Sequence, residues 1–132
     1  YEGNPIACAA GLATITEIIE NDLCANVRKV GSHLREGLEG LRKHRIIGDI
    51  RGKGMFIGIE FVRDLVTKEK FSDDIPIATL IGKRALDKGL LLRFDPHWLS
   101  IGPPLILTES QADDIVSILD ESIFEVLQEI KN

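Results

Sequence analysis

The spacing of the apolar residues changes period midway along the chain, and this change constrains the fold most. Between residues 23 and 41 apolar side chains recur every three or four positions, which is the spacing of one face of an α-helix. These residues are Leu23, Val27, Val30, Leu34, Leu38 and Leu41. Between residues 55 and 62 the period becomes two, which is typical of a half-buried β-strand. The chain therefore combines helices with a sheet.

Helix and turn signals place the elements of the N-terminal half. Asn4-Pro5 predicts the start of a first helix, because Asn caps the N-terminal N–H groups and Pro needs no donor there. This helix is rich in small and apolar residues, so we expect it to be covered on most sides. Asn21-Asp22 predicts its end and the cap of the next helix. The turn Gly52-Lys53-Gly54 predicts a hairpin between a strand from residue 46 and the strand at 55–62.

The C-terminal half begins with a polar loop at residues 63–75. Pro76 predicts the start of a helix that Gly89 ends. Two short strands are predicted, Leu90 to Arg93 and Trp98 to Ile101, joined by the turn Asp95-Pro96-His97. Thr108 and Gln111 fit a capping box that opens the last helix. The order ααββαββα predicts an α+β domain whose small, mostly antiparallel sheet of three or four strands packs with helices.

Composition excludes several classes of function. The 132 residues include 16 Lys plus Arg and 21 Asp plus Glu, a net charge of −5, which argues against a nucleic-acid groove. No apolar run is long enough to span a membrane. Cys8 and Cys24 lack metal-ligand spacing, so we expect two buried, reduced thiols and a cytoplasmic protein with no metal site. Because Tyr1 opens the chain and Met55 is its one methionine, the chain is predicted to be part of a longer protein.

Among the charged residues, Arg93 is the strongest candidate for binding a small molecule. The glycines around Gly52 fail the dinucleotide fingerprint, since they lead into a strand and not into a helix. Arg93 follows three leucines, and an arginine at the end of an apolar strand can present its planar fork to a carboxylate. The alternative is a structural arginine at a sheet edge.

Three motifs together resemble those of the class III aminotransferases, which are pyridoxal-phosphate enzymes of fold type I. The segment Tyr1-Glu2-Gly3-Asn4-Pro5 with its alanine-rich helix resembles their Y-x-G-N-P segment. Residues 51–60 (RGKGMFIGIE) resemble their R-G-x-G hairpin, and residues 90–93 with 102–109 (GPPLILTE) resemble their C-terminal ending. The resemblance covers essentially the whole chain in the family's order.

The resemblance implies a division of the chain and a set of roles. Residues 1–22 would be the lead-in and connecting helix from a large domain, and residues 23–132 the C-terminal small domain. Arg93 would bind the substrate carboxylate. Tyr1 and Glu2 would lie at the rim of the neighbouring subunit's cofactor site in a homodimer. The Schiff-base lysine would lie upstream, so no lysine of this chain has that role; Lys53 belongs to the hairpin turn.

The function implied is transfer of an amino group from an ω-amino acid or amine to a keto acid such as pyruvate. The isolated chain would be inactive. Two alternatives stay open: another fold type I enzyme, such as an aminomutase or decarboxylase, and a stand-alone α+β ligand-binding or interaction module. A stand-alone module would be a soluble monomer, and its apolar first helix argues against it.

Overall fold

The computed structural model describes residues 2–130 of the chain. In this range four α-helices and one 3₁₀-helix combine with one four-stranded antiparallel sheet of order β1-β2-β4-β3. No helix in this range is both long and apolar enough to cross a membrane. The elements are α1 (Pro5–Glu20), α2 (Leu23–Gly40), the 3₁₀-helix (Leu41–His44), β1 (Ile47–Lys53), β2 (Phe56–Phe61), α3 (Ile77–Asp87), β3 (Arg93–Asp95), β4 (Trp98–Ile101) and α4 (Glu109–Glu129).

The helices cover one face of the sheet and bury its apolar residues. Ile50, Ile59, Leu99 and Phe94 lie side by side across the four strands on this face. Phe61 and Leu99 are fully buried, as the alternation of period two requires. The inner side chains of α2, α3 and α4 complete the core, so the predicted α+β architecture is confirmed.

The glycine turn forms the predicted hairpin between β1 and β2. Gly52 has φ +143°, and a Cβ there would lie 2.0 Å from the carbonyl oxygen of Phe56. Gly54 has φ +58° in the turn itself. Both values are unfavourable for residues with a side chain, so these glycines fix the tight return of the chain.

The predicted helix starts are confirmed by their capping hydrogen bonds. The Asn4 side chain accepts from the backbone N–H groups of Ile6 and Ala7. Asp22 accepts from the N–H of Ala25, and Thr108 forms the capping box of α4 with Gln111. These local signals set where three of the four helices begin.

The predicted position of the third strand is wrong. Leu90 donates its backbone N–H to the carbonyl of Ala85, a hydrogen bond that closes the C-terminal end of α3. Residues 91 and 92 have no regular structure, and β3 begins only at Arg93. The turn to β4 is therefore Pro96-His97, and Arg93 starts a strand where we expected it to end one.

The first helix is exposed within this chain. None of the 16 residues of α1 is buried, and the exposed fractions of Ile6 and Ile19 are 81% and 71%. The expectation that this helix is covered is not met here, because α2 is the main element that α1 contacts among the described residues. The expectation of buried cysteines is also wrong: Cys8 on α1 and Cys24 in the first turn of α2 are exposed free thiols.

The contact between α3 and β3 leads to a stability prediction. A Cβ at Gly82 of α3 would lie 2.2 Å from Cδ1 of Phe94. We expect Gly82→Ala to lower the free energy of unfolding by about 1–3 kcal/mol, since the ring must leave its packed position. Gly40→Ala is the matched control, because nothing lies within 4 Å of a Cβ there. It should gain up to about 1 kcal/mol from helix propensity. Equal urea midpoints for the two variants would contradict this packing argument.

A histidine–aspartate pair joins α2 to α4 and predicts a pH effect. His33 Nε2 lies 2.7 Å from Asp113 Oδ1, and this hydrogen bond raises the pKa of His33 above its usual value. A raised histidine pKa stabilises the folded protein below about pH 6.5, and this gain is lost as the pH rises through the folded-state pKa. His33→Gln should therefore lower the melting temperature slightly in mild acid and not at alkaline pH. Asp113→Asn should have the same effect. A difference in melting temperature between parent and variant that does not change with pH would refute the attribution of the effect to this pair.

Candidate functional site

The outer face of the sheet, away from the helices, carries two charged rows that run across all four strands. The register pairs Arg51 with Gly58, Gly58 with Ser100, and Ser100 with Arg93. We call these four residues the arginine row. The next row on the same face, which we call the acidic row, consists of Asp49, Glu60, Trp98 and Asp95. Directly paired residues of antiparallel strands point to the same side, so both rows face outward.

Arg51, at one end of the arginine row, is held by carboxylates. Its Nη1 lies 2.9 Å from Asp49 Oδ2 and 3.1 Å from Glu60 Oε2. The hydrogen bond from Arg51 lowers the pKa of Asp49 below its usual value. Arg51 is therefore engaged within the sheet, as expected of a structural residue.

Arg93, at the other end of the row, has no such partner. In the described part of the chain the Arg93 guanidinium forms no ion pair; its carbon Cζ lies 5.7 Å from the centre of the Trp98 ring. This separation is within the range of a cation–π contact. Stacking uses the flat face of a guanidinium and leaves the N–H groups at its edge free. Arg93 can therefore donate hydrogen bonds to a planar oxyanion such as a carboxylate.

A cleft of about 420 Å³ separates the two arginines. Its floor between them is made by Gly58 and Ser100, which have little or no side chain. A glycine inside a strand often marks a place where another group approaches the backbone closely. The lining residues are Arg51, Gly52, Phe56, Gly58, Ile59, Arg93, Trp98 and Ser100. The cleft is thus a mostly apolar trough with a cation at each end.

The other residues singled out from the sequence lie elsewhere. Glu2 is exposed in the turn before α1 and does not line the cleft. Tyr1 lies outside the described residues. Lys53 ends β1 at the hairpin turn, as predicted, and no lysine lines the cleft. Residues 2–130 contain no cluster of three or more His, Cys, Asp or Glu arranged to hold a metal ion.

Trp98 and Ser100 line the cleft, but the sequence did not single them out. Both were assigned to a strand, but their partners depend on the register of the hairpin between β3 and β4. With the turn at Pro96-His97, Asp95 pairs with Trp98 and Arg93 with Ser100. The sequence did not indicate this register, because Pro96-His97 is not one of the pairs, such as Asn-Gly or Asp-Gly, that are typical of two-residue hairpin turns.

The comparison with known proteins shows which family the chain belongs to. Residues 1–123 match the family model described as aminotransferase class III. An acetylornithine aminotransferase of Caldanaerobacter subterraneus subsp. tengcongensis is 39% identical over 128 residues, which are 96% of this chain and 30% of that protein. The chain belongs to the class III aminotransferase family. A leucine/methionine racemase of Thermococcus litoralis is 37% identical over 126 residues, 94% of this chain and 28% of the racemase.

Solved structures of aminotransferases have the same fold. The PMP-bound form of an aminotransferase from Vibrio fluvialis superposes with a TM-score of 0.91 at 30% identity, over 96% of this chain and 28% of that one. This class III aminotransferase chain therefore spans about 30% of the length of the relatives it matches.

The described residues do not form a complete cofactor pocket by themselves. Pyridoxal phosphate needs a lysine for its aldehyde and donors for its phosphate dianion. No lysine lines the cleft to bind the aldehyde. What the geometry does supply is a cationic wall for a carboxylate.

Proposed function

We propose that the chain is the C-terminal portion of a pyridoxal-phosphate-dependent aminotransferase. It would transfer an amino group from an ω-amino acid or amine to a keto acid such as pyruvate. Residues 1–22 would connect to a large domain, and residues 23–132 would form the small domain. The cofactor and its lysine would belong to the part of the protein outside this chain, and Tyr1 and Glu2 would contribute to the rim of the partner's site in a cytoplasmic homodimer.

The single observation that carries the proposal is the unpaired edge of Arg93 in the cleft. Transamination requires substrates whose carboxylate is anchored while the amino or keto carbon meets the cofactor. Arg93 offers two parallel N–H donors, and the flat floor of Gly58 and Ser100 lets a carboxylate approach them. Arg51 is neutralised by Asp49 and Glu60, so it would shape the cleft without competing for the substrate.

The exposed helix α1 supports the proposed division of the chain. Its small and apolar residues form a surface that a soluble protein rarely leaves open. Contact with a large domain would cover this surface. The same feature argues against a stand-alone interaction module.

A second candidate stays within the family. The similarity to a leucine/methionine racemase supports a reaction in which the product keeps the amino group of its own substrate. Racemases, aminomutases and decarboxylases catalyse such reactions. These differ from transamination in one measurable way: they need no acceptor.

An acceptor-dependence assay tests the proposal on the full-length protein. With γ-aminobutyrate as donor, we expect continuous product formation only when pyruvate or another keto acid is supplied, since the cofactor retains the amino group after the first half-reaction. With D- or L-amino acids and no acceptor, we expect no more than one product per active site. Continuous turnover without an acceptor would contradict the proposal and favour a racemase, mutase or decarboxylase.

A further inference from the structure

Trp98 and Arg93 are diagonal neighbours on the outer face of the β3–β4 hairpin. Trp98 pairs directly with Asp95, and Arg93 pairs with Ser100, one row further along. Diagonal positions are within reach of long and aromatic side chains. The Arg93 side chain thus leans along the hairpin toward the turn, where its guanidinium lies over the indole ring at 5.7 Å.

The two residues are anchored very differently. Trp98 lies on β4, an inner strand that is paired with β2 on one side and β3 on the other. Arg93 is the first residue of β3, an edge strand of three residues that follows an irregular segment. A free arginine side chain also has about 2 kcal/mol of rotamer entropy to lose on binding. The fixed ring therefore restricts the loosely held guanidinium.

Trp98 also takes the position next to Arg93 that a carboxylate takes next to Arg51. Trp98 is the diagonal neighbour of Arg93, as Glu60 is of Arg51, and each arginine has an aspartate two residues away on its own strand. Arg51, at the far end of the cleft, pairs with both of its carboxylate neighbours, whereas the Arg93 guanidinium lies over the Trp98 ring. Arg93 forms no ion pair within the described residues.

We infer that Trp98 is a positioning residue for Arg93 and determines specificity. Its ring holds the guanidinium at the cleft with the N–H edge free, and so favours substrates with a carboxylate over neutral amines. The inference rests on the proposed function, because it assumes that Arg93 binds the substrate carboxylate. No contact between Trp98 and the substrate is required.

The test compares two donors in the full-length holoenzyme, γ-aminobutyrate and butylamine, with pyruvate as acceptor. In a reaction of two separate half-reactions, kcat/KM for the donor reports the donor half-reaction alone. The measured quantity is the ratio of kcat/KM for γ-aminobutyrate to that for butylamine. Trp98→Leu should lower this ratio about tenfold, the scale of a partly desolvated cation–π contact. Trp98→Phe, which keeps an aromatic face, should recover most of the ratio.

A double-variant cycle separates positioning from direct substrate contact. On an Arg93→Leu background, Trp98→Leu should change the ratio less than twofold, since the side chain it positions is gone. An equal loss on both backgrounds would overturn the inference, as would an equal loss of activity toward both donors, which would indicate general damage to the fold. Phe124→Leu is the control: this exposed aromatic residue of α4 lies outside the cleft, and its replacement should leave the ratio unchanged.

Failure of this inference and failure of the proposed function give different results. If Arg93→Leu abolishes the preference for γ-aminobutyrate and Trp98→Leu does not, the role of Arg93 stands and that of Trp98 is refuted. If Arg93→Leu itself leaves the preference intact, both are refuted.

Discussion

Replacing Arg93 with Leu in the full-length protein is expected to lower kcat/KM for γ-aminobutyrate by about a hundredfold to ten-thousandfold. The variant loses two charge-assisted hydrogen bonds to the substrate carboxylate, each contributing roughly 1.5–3 kcal/mol, and every 1.36 kcal/mol corresponds to about tenfold. The fold should persist, because the exposed Arg93 side chain forms no ion pair within residues 2–130 whose loss would leave a buried charge. Steady-state kinetics with γ-aminobutyrate and pyruvate measure the effect.

Two further variants make the Arg93 result specific. Arg93→Lys keeps the charge but loses the planar fork, so its kcat/KM should fall between those of the parent and Arg93→Leu. Arg63→Leu removes an exposed arginine that pairs with Glu69 in the loop after β2, outside the cleft, and should have no effect on kcat/KM. A parent-like kcat/KM for Arg93→Leu would show that the cleft does not bind the carboxylate.

The isolated 132-residue chain is expected to have no aminotransferase activity even with excess pyridoxal phosphate. Its cleft offers Arg93 for a carboxylate but no lysine to bind the cofactor and move the proton between substrate carbon and cofactor. Product formation from γ-aminobutyrate and pyruvate should therefore not exceed the rate of the free cofactor in buffer. The full-length protein, assayed in parallel, provides the positive control. Turnover by the isolated chain above the free-cofactor rate would refute the proposal that the catalytic lysine and the cofactor site lie outside this chain.

The sequence predicted the core of this domain well because its local signals agree with the tertiary fold. The alternation that ends in Phe61 identifies the inner face of β2, and the capping residues Asn4 and Thr108 identify two helix starts. Gly52 and Gly54 identify the hairpin because other residues are strained in their conformations. In each case the short-range preference and the long-range packing favour the same structure.

The errors arose where tertiary structure decides between equivalent local patterns. Leu90 to Leu92 are apolar enough for a strand, but Leu90 is used to close α3. Arg93 lies in the cleft although its strand was misplaced, whereas the place of Trp98 beside it depends on the register of the hairpin. The exposure of Cys8 could not be predicted from the sequence, because it depends on how little of α1 the other described residues cover.

The most direct test of the central claim is the visible absorption spectrum of the full-length protein during a half-reaction. The account predicts a band from the lysine-bound cofactor that bleaches when γ-aminobutyrate is added without acceptor and returns when pyruvate follows. In Arg93→Leu the same band should be present but should bleach only at much higher γ-aminobutyrate concentrations. A full-length protein with no such band, or one whose band is unaffected by any amino donor, would contradict the assignment of an aminotransferase.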